Sequence, residues 1–188
     1  EELLSRIPSY ARDEISWPDF RRYGCAWWIR NNNILKRCVE KMARNAFQKT
    51  KDPMDSAIFY AAIRKPKILA ALFKNSGNVA LENFFRGDFN NPGHCRKAKV
   101  NAFNLLSKRR FAHAAALFLT AGSLKDAVLV CLDNLKDLQL AMVIARLYES
   151  ELGPGMAPPP PPLAPAAAAA AAAPGAVSGG AADLGNFA

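Results

Sequence analysis

Phe111-Ala-His-Ala-Ala-Ala-Leu-Phe-Leu-Thr-Ala121-Gly122-Ser123-Leu-Lys-Asp126-Ala-Val-Leu-Val-Cys131-Leu-Asp-Asn-Leu135 has the pattern of a helical hairpin. Two apolar-rich helical runs, 111–121 and 124–135, are separated by a glycine and a serine. Gly122 predicts the end of the first run, because glycine enters the left-handed conformation without a Cβ penalty. Ser123 predicts the start of the second through its hydroxyl, with Asp126 three residues on as in a capping box. On the first run Ala112, Ala115 and Ala116 precede Leu119 on one stripe, and small side chains let a facing helix come close. So brief a junction forces the helices antiparallel.

The same grammar extends outward. Leu138 to Glu149 is apolar around most of its girth, which predicts an inner helix. Upstream, 34–47 alternates Ile34, Leu35, Cys38, Val39, Met42, Ala43, Ala46 and Phe47 with charged and polar residues at helical spacing. Asp52, Pro53 and Asp55 mark the next start: a cap, a first position that needs no N–H donor, and an acid against the positive helix end. That helix is expected to run to Arg64. Pro66 breaks the chain and a stripe of Ile68, Leu69, Leu72 and Phe73 resumes after it, ending at Gly77. A short helix over 79–85 precedes a turn-rich loop, 87–93, in which Asn-Asn-Pro-Gly is a turn signal, and a further helix covers 94–108. The fold class is therefore all-α: stacked antiparallel helical hairpins in a solenoid-like arrangement. A weak internal echo lays Ala57–Phe73 on Ala115–Cys131 at an offset of 58 residues.

Composition sets the limits. Residues 153–188 hold 14 Ala, 8 Pro and 6 Gly with Asp183 as their one charge, so they supply no core. This tail reads as disordered low-complexity chain, with Pro158–Pro162 favouring a polyproline rod that serves as a linker. Residues 1–152 form the helical domain and carry all 25 Lys and Arg against 15 Asp and Glu, a net of +10. A domain of that size buries roughly 70% of its unfolded surface and needs no disulfide framework. Cys25, Cys38, Cys95 and Cys131 lie far apart, and reduced cytosol is the expected compartment. The longest good apolar run, 114–121, is too short to span a bilayer. A chain that opens on Glu1 reads as a piece of a longer protein.

Three blocks carry a resemblance: Trp17-Pro-Asp-Phe-Arg-Arg-Tyr-Gly-Cys-Ala-Trp27-Trp28-Ile-Arg30, then Asp52-Pro-Met-Asp-Ser-Ala-Ile-Phe-Tyr60, and above all 121–132 with Leu140-Ala-Met-Val-Ile-Ala-Arg-Leu-Tyr-Glu149. Together they resemble the DmX-like, or rabconnectin alpha, family, whose yeast relative is the large subunit of the regulator of vacuolar ATPase assembly. The likeness covers residues 1–152 and departs where the chain enters its Pro and Ala tract. It implies the helical region that follows amino-terminal β-propellers in a very large scaffold. The implied role is to help the cytosolic sector of the vacuolar proton ATPase rejoin its membrane sector, and so to support vesicle and organelle acidification. Implied partners are cytosolic-sector subunits, a second propeller-containing rabconnectin and regulators of Rab GTPases. The implied location is cytoplasmic, peripheral on vesicle (including synaptic vesicle) or endolysosomal membranes.

The residues themselves offer little catalytic chemistry. His94 and Cys95 are adjacent, but no cysteine pair has structural-zinc spacing, so no metal or cofactor is expected. With two histidines and no nucleophile elbow, phosphate loop or His-Glu-x-x-His, an enzyme is not expected either. The acid pairs Asp13 with Glu14 and Asp133 with Asp137 fall at helix ends, where capping or solvation accounts for them. Of the adjacent Trp27 and Trp28, at least one is expected to pack as core, the other reading being a partner anchor. The basic clusters invite a partner, and the residues chosen for contact with an acidic protein surface are Arg96, Lys97, Lys99, Lys108, Arg109 and Arg110. An RNA-binding helical repeat and a trafficking-coat solenoid are the alternatives. Nucleic acid is disfavoured because the phenylalanines fall on apolar stripes rather than among exposed cations.

Overall fold

The structure, a computed structural model, describes residues 2–150, and every described element is helical. The expectations for the tail, 153–188, lie outside these residues. Short helices α1 (Glu2–Ser5), α2 (Pro8–Ala11), α3 (Trp17–Arg22) and α4 (Cys25–Trp28) lead into the long α5 (Asn32–Thr50). A 3₁₀ turn, Pro53–Ser56, opens α6 (Ala57–Ala62), followed by α7 (Pro66–Asn75), α8 (Val79–Arg86) and α9 (Pro92–Ser107). Then come α10 (Phe111–Thr120), α11 (Leu124–Leu129) running into a π turn at Val130–Asn134, and α12 (Leu138–Ser150).

The hairpin turns share one geometry. After α10 the Gly122 N–H donates to the Leu119 carbonyl and the Ser123 N–H to that of Phe118, with Gly122 at φ 79°. This is a Schellman motif, which satisfies carbonyls that the helix end leaves free. After α6 the same pair of bonds runs from Arg64 to Ala61 and from Lys65 to Tyr60, with Arg64 left-handed at φ 54°. Arg64 and Gly122 stand at the 58-residue offset of the sequence echo. After α9, Arg109 takes the left-handed position at φ 59°.

Local chemistry departs from expectation at three places. Asn-Asn-Pro-Gly does not form a free turn: Asn91 accepts the Gly93 N–H at 2.8 Å and Pro92 is the first residue of α9, so the helix begins earlier than expected. Ser123 makes no side-chain cap, because the Schellman bonds already fix the turn and its hydroxyl is not aimed at the next helix. The helix expected over 124–135 widens at its end: the Leu135 N–H reaches the Val130 carbonyl five residues back and the Asp137 N–H that of Cys131.

The surrounded helices are α6 and α10. All six residues of α6 are buried, as is every residue of α10 from Ala114 to Leu119. Their alanines let the two pack face to face, with α9 against the far side of α10, and with α11 then α12 completing the stack. The predicted inner helix, α12, does touch α4, α5, α6 and α11, but it leaves Leu138 exposed.

An early element, α3, also meets the last, α12, which a simple end-to-end stack would not require. Asp137, buried just before α12, accepts the Trp17 indole N–H at 2.8 Å and the Arg21 guanidinium at 3.3 Å on Oδ2. Its Oδ1 caps α12 by accepting the Leu140 N–H at 3.0 Å. Trp17 in turn stacks on Phe20 and leans on Phe59 of α6. Gln139 donates to the Arg21 carbonyl, and Arg146 donates to the carbonyls of Ala26 and Arg30 and to Asn32 Oδ1.

Two outcomes follow from this packing. Asp137→Ala strips partners from Trp17, Arg21 and the start of α12 at once, and is expected to cost about 2–4 kcal/mol, read by chemical denaturation. His113 of α10 lies partly buried, its Nε2 3.7 Å from Asp55 Oδ1. Burial holds the imidazole below its ordinary value of 6.5, outweighing the pull of Asp55 and Asp52, with Arg110 acting in the same direction as burial. The unfolded chain therefore binds the proton more readily, and stability is expected to fall as pH drops through about 6.5. His113→Gln flattens that dependence in denaturation midpoints compared across pH 7.5 to 5.5, roughly one unit either side of the free imidazole value.

Candidate interaction surface

Of the six cations predicted to meet a partner, the structure sets Arg96, Lys97 and Lys99 on the exposed side of α9 and Lys108 and Arg109 at the turn that ends it. Arg110, half-buried, precedes α10 and lies close enough to His113 to disfavour its protonation. At about 1.5 Å per residue the series from Arg96 to Lys108 covers roughly 18 Å. Ala98, Ala102 and Leu105 face α10 and are buried, so Arg96 and Lys99 look away from the core. Arg96, Lys97, Lys99, Lys108 and Arg109 have no ionic partner among the described residues. Between Phe89 and Lys125 the chain holds no Asp or Glu at all, so nothing within it offsets the field of these cations.

Sequence reasoning missed what lies among them. Val100 and Phe103 are 54% and 56% exposed on the stripe that carries Arg96 and Lys99. The Phe103 ring meets that of Phe118 edge-on, at 5.0 Å between centroids, and presents its other side to solvent. The phenylalanines were expected in the core, and helical spacing alone does not say which side of α9 is left uncovered. The only available signal was the run Val100, Phe103 set between Lys99 and Lys108 in an acid-free segment.

Trp27 and Trp28 also correct an expectation. Both are exposed, at 55% and 39%, and the tryptophan that serves the core is Trp17. Gly24, left-handed at φ 60°, turns the chain sharply between α3 and α4, so that α4 contributes Cys25 and Ala26 to the core and leaves its indoles outside.

The remaining reactive side chains are engaged in the fold. His94 lies against Gly87, its Nε2 3.0 Å from the Phe84 carbonyl, and the Cys95 thiol donates to the Phe89 carbonyl. Burial pushes the Cys25 thiol up to about 11 and the Cys131 thiol to about 12, so neither is a ready nucleophile. A polar cleft of about 780 Å³ beside α2 and α5 has Lys41 ion-paired to Asp13 at 2.7 Å, which quenches its charge. Among the described residues no three His, Cys, Asp or Glu side chains stand together as metal ligands would.

The chain is similar to known proteins over most of its length. DmX-like protein 1 of Homo sapiens is 46% identical over 157 residues, covering 84% of this chain and 5% of that protein. Regulator of V-ATPase in vacuolar membrane protein 1 of Saccharomyces cerevisiae is 38% identical over 160 residues, 82% of this chain and 12% of that protein. The protein of that name in Schizosaccharomyces pombe is 32% identical over 160 residues, 81% of this chain and 12% of its own length. This chain thus spans a small part of the curated relatives it matches. The family model described as RAVE protein 1 C terminal matches residues 1–158, and with that match the chain belongs to the RAVE protein 1 C-terminal family, the DmX-like group its sequence resembles.

Proposed function

We propose that this segment is a non-catalytic, surface-presenting part of a scaffold that promotes assembly of the vacuolar proton ATPase and thereby organelle acidification. The observation that carries the reading is the unpaired cationic face of α9, on a chain whose relatives are named as regulators of V-ATPase. A rigid helix holds Arg96, Lys97 and Lys99 over a fixed distance, so a complementary acidic surface on a cytosolic-sector subunit meets preset charges. Lys108 and Arg109 extend that surface past the helix end, and Arg110 contributes at its margin. Val100 and Phe103 supply apolar contact between the cations, which charge alone would not give.

The scaffold works at the cytosolic face of vesicle or endolysosomal membranes, as a peripheral protein. In support, a relative is named for the vacuolar membrane, and no described helix is long and apolar enough to cross one. A second rabconnectin and Rab regulators belong to the whole scaffold as partners.

The test uses the complete protein carrying Arg96→Glu, Lys99→Glu and Arg109→Glu, with affinity for the purified ATPase cytosolic sector as the readout. A loss of roughly tenfold or more is expected, deepening at low salt, since reversed charges then repel the same surface. Unchanged affinity overturns the assignment of this face. Recovery of the bound material only as nuclease-sensitive ribonucleoprotein turns the reading to a basic RNA-binding repeat.

A further inference from the structure

The corner formed by α3 and α4 exposes Tyr23, Trp27 and Trp28 together, well ahead of α9 in the sequence. Large aromatic side chains left in water lose what they would gain by burial, so a folded chain that keeps three of them outside has not used them for its own core. The corner is also held still. The Trp28 indole N–H donates to the Tyr23 carbonyl at 3.0 Å, which fixes that ring against the turn. Arg146 takes up the Ala26 and Arg30 carbonyls at 3.2 and 3.0 Å, and Gln139 the Arg21 carbonyl at 3.0 Å, so α12 grips both short helices by their backbones. The Trp27 indole N–H has no partner among the described residues.

Beyond Asp19, which lines a cleft with Tyr23, the charge along this part of the chain has one sign. From Phe20 to Val39 the chain holds Arg21, Arg22, Arg30, Lys36 and Arg37 and no Asp or Glu. Asp137, the carboxylate bonded to this corner, is already occupied by Trp17, Arg21 and Leu140. Arg22 and Arg30 are exposed and have no ionic partner among the described residues.

Trp, Tyr and Arg are the residues that carry most of the binding energy at protein–protein contacts, whereas Lys is depleted there. Beside the exposed rings the unpaired cations are both arginines. Polybasic lipid-binding segments use lysine as freely as arginine. Preset aromatic rings, by contrast, lower the ordering cost of docking a shaped partner.

We propose that Tyr23, Trp27 and Trp28, flanked by Arg22 and Arg30, form a docking surface for a separate acidic protein chain, one that offers an apolar pocket for an indole rimmed by carboxylates. This surface is distinct from α9 and does not depend on what α9 binds.

The experiment places a photoreactive benzophenone at the corner of the complete protein, as Trp27→benzoylphenylalanine, in cells. Cross-linked peptides are identified by mass spectrometry. The expected product joins position 27 to a peptide of a different polypeptide in which Asp or Glu flank an apolar residue. Its yield is expected to fall about tenfold or more when Arg22→Glu and Arg30→Glu are added, since like charges then face each other. Both arginines are exposed, and unchanged far-ultraviolet circular dichroism shows that the fold survives. The α9 reversals leave the cross-link in place, so failure of the α9 reading and failure of this one are told apart. Label transferred to lipid, to the protein's own chain, to a peptide without carboxylates, or to nothing overturns the proposal, as does a yield indifferent to the arginine reversals.

Discussion

A carboxylate taken out of water must have its lone pairs filled, and Asp137 fills them from three directions. An indole, a guanidinium and a backbone N–H converge on it, two of them from residues more than a hundred positions earlier in the chain. With that site occupied, α3 is fixed against the start of α12, Trp17 can lie on Phe20 and Phe59, and Arg146 is brought to the backbone of α4. The N-terminal helices are too short to be stable by themselves. α3 and α4 borrow their order from α12, and the borrowing runs through polar groups rather than apolar area alone.

Much of the architecture was written in local chemistry. Pro53 and Pro66 start helices because each lacks a donor that the first turn does not need, and Gly122 ends one because it alone lacks a Cβ. The left-handed Arg64 and Arg109 were not legible, because arginine gives no local sign of adopting that conformation and it is the hydrogen bonds of the whole turn that impose it. Asp137 was legible as a cap for α12. That it also binds Trp17 was hidden, since a pairing across 120 residues leaves no periodic trace.

The interaction surfaces show the same division. The cations of α9 were visible as a charge run, but their relation to Val100 and Phe103 depends on which side of α9 meets α10. Trp27 and Trp28 have the composition of core, and only the tight turn at Gly24 puts them outside. Exposure is a tertiary property, so a sequence supplies the candidates and packing selects among them. In this chain packing drew one tryptophan of three partly into the core and left two outward.

The widened turn at Val130–Asn134 fixes a length as well as a shape. Five residues there span what a regular helix would cover with fewer, and the surplus sets the angle at which Asp137 leaves the helix. The surplus is absorbed within the turn, so α11 keeps regular winding up to Leu129 while the Asp137 carboxylate still leaves toward Trp17. The segment therefore acts as a phase adjuster between two halves of the molecule. Val130 and Cys131 within it are buried, so the same five residues that set the spacing also fill the core beside α10 and α12.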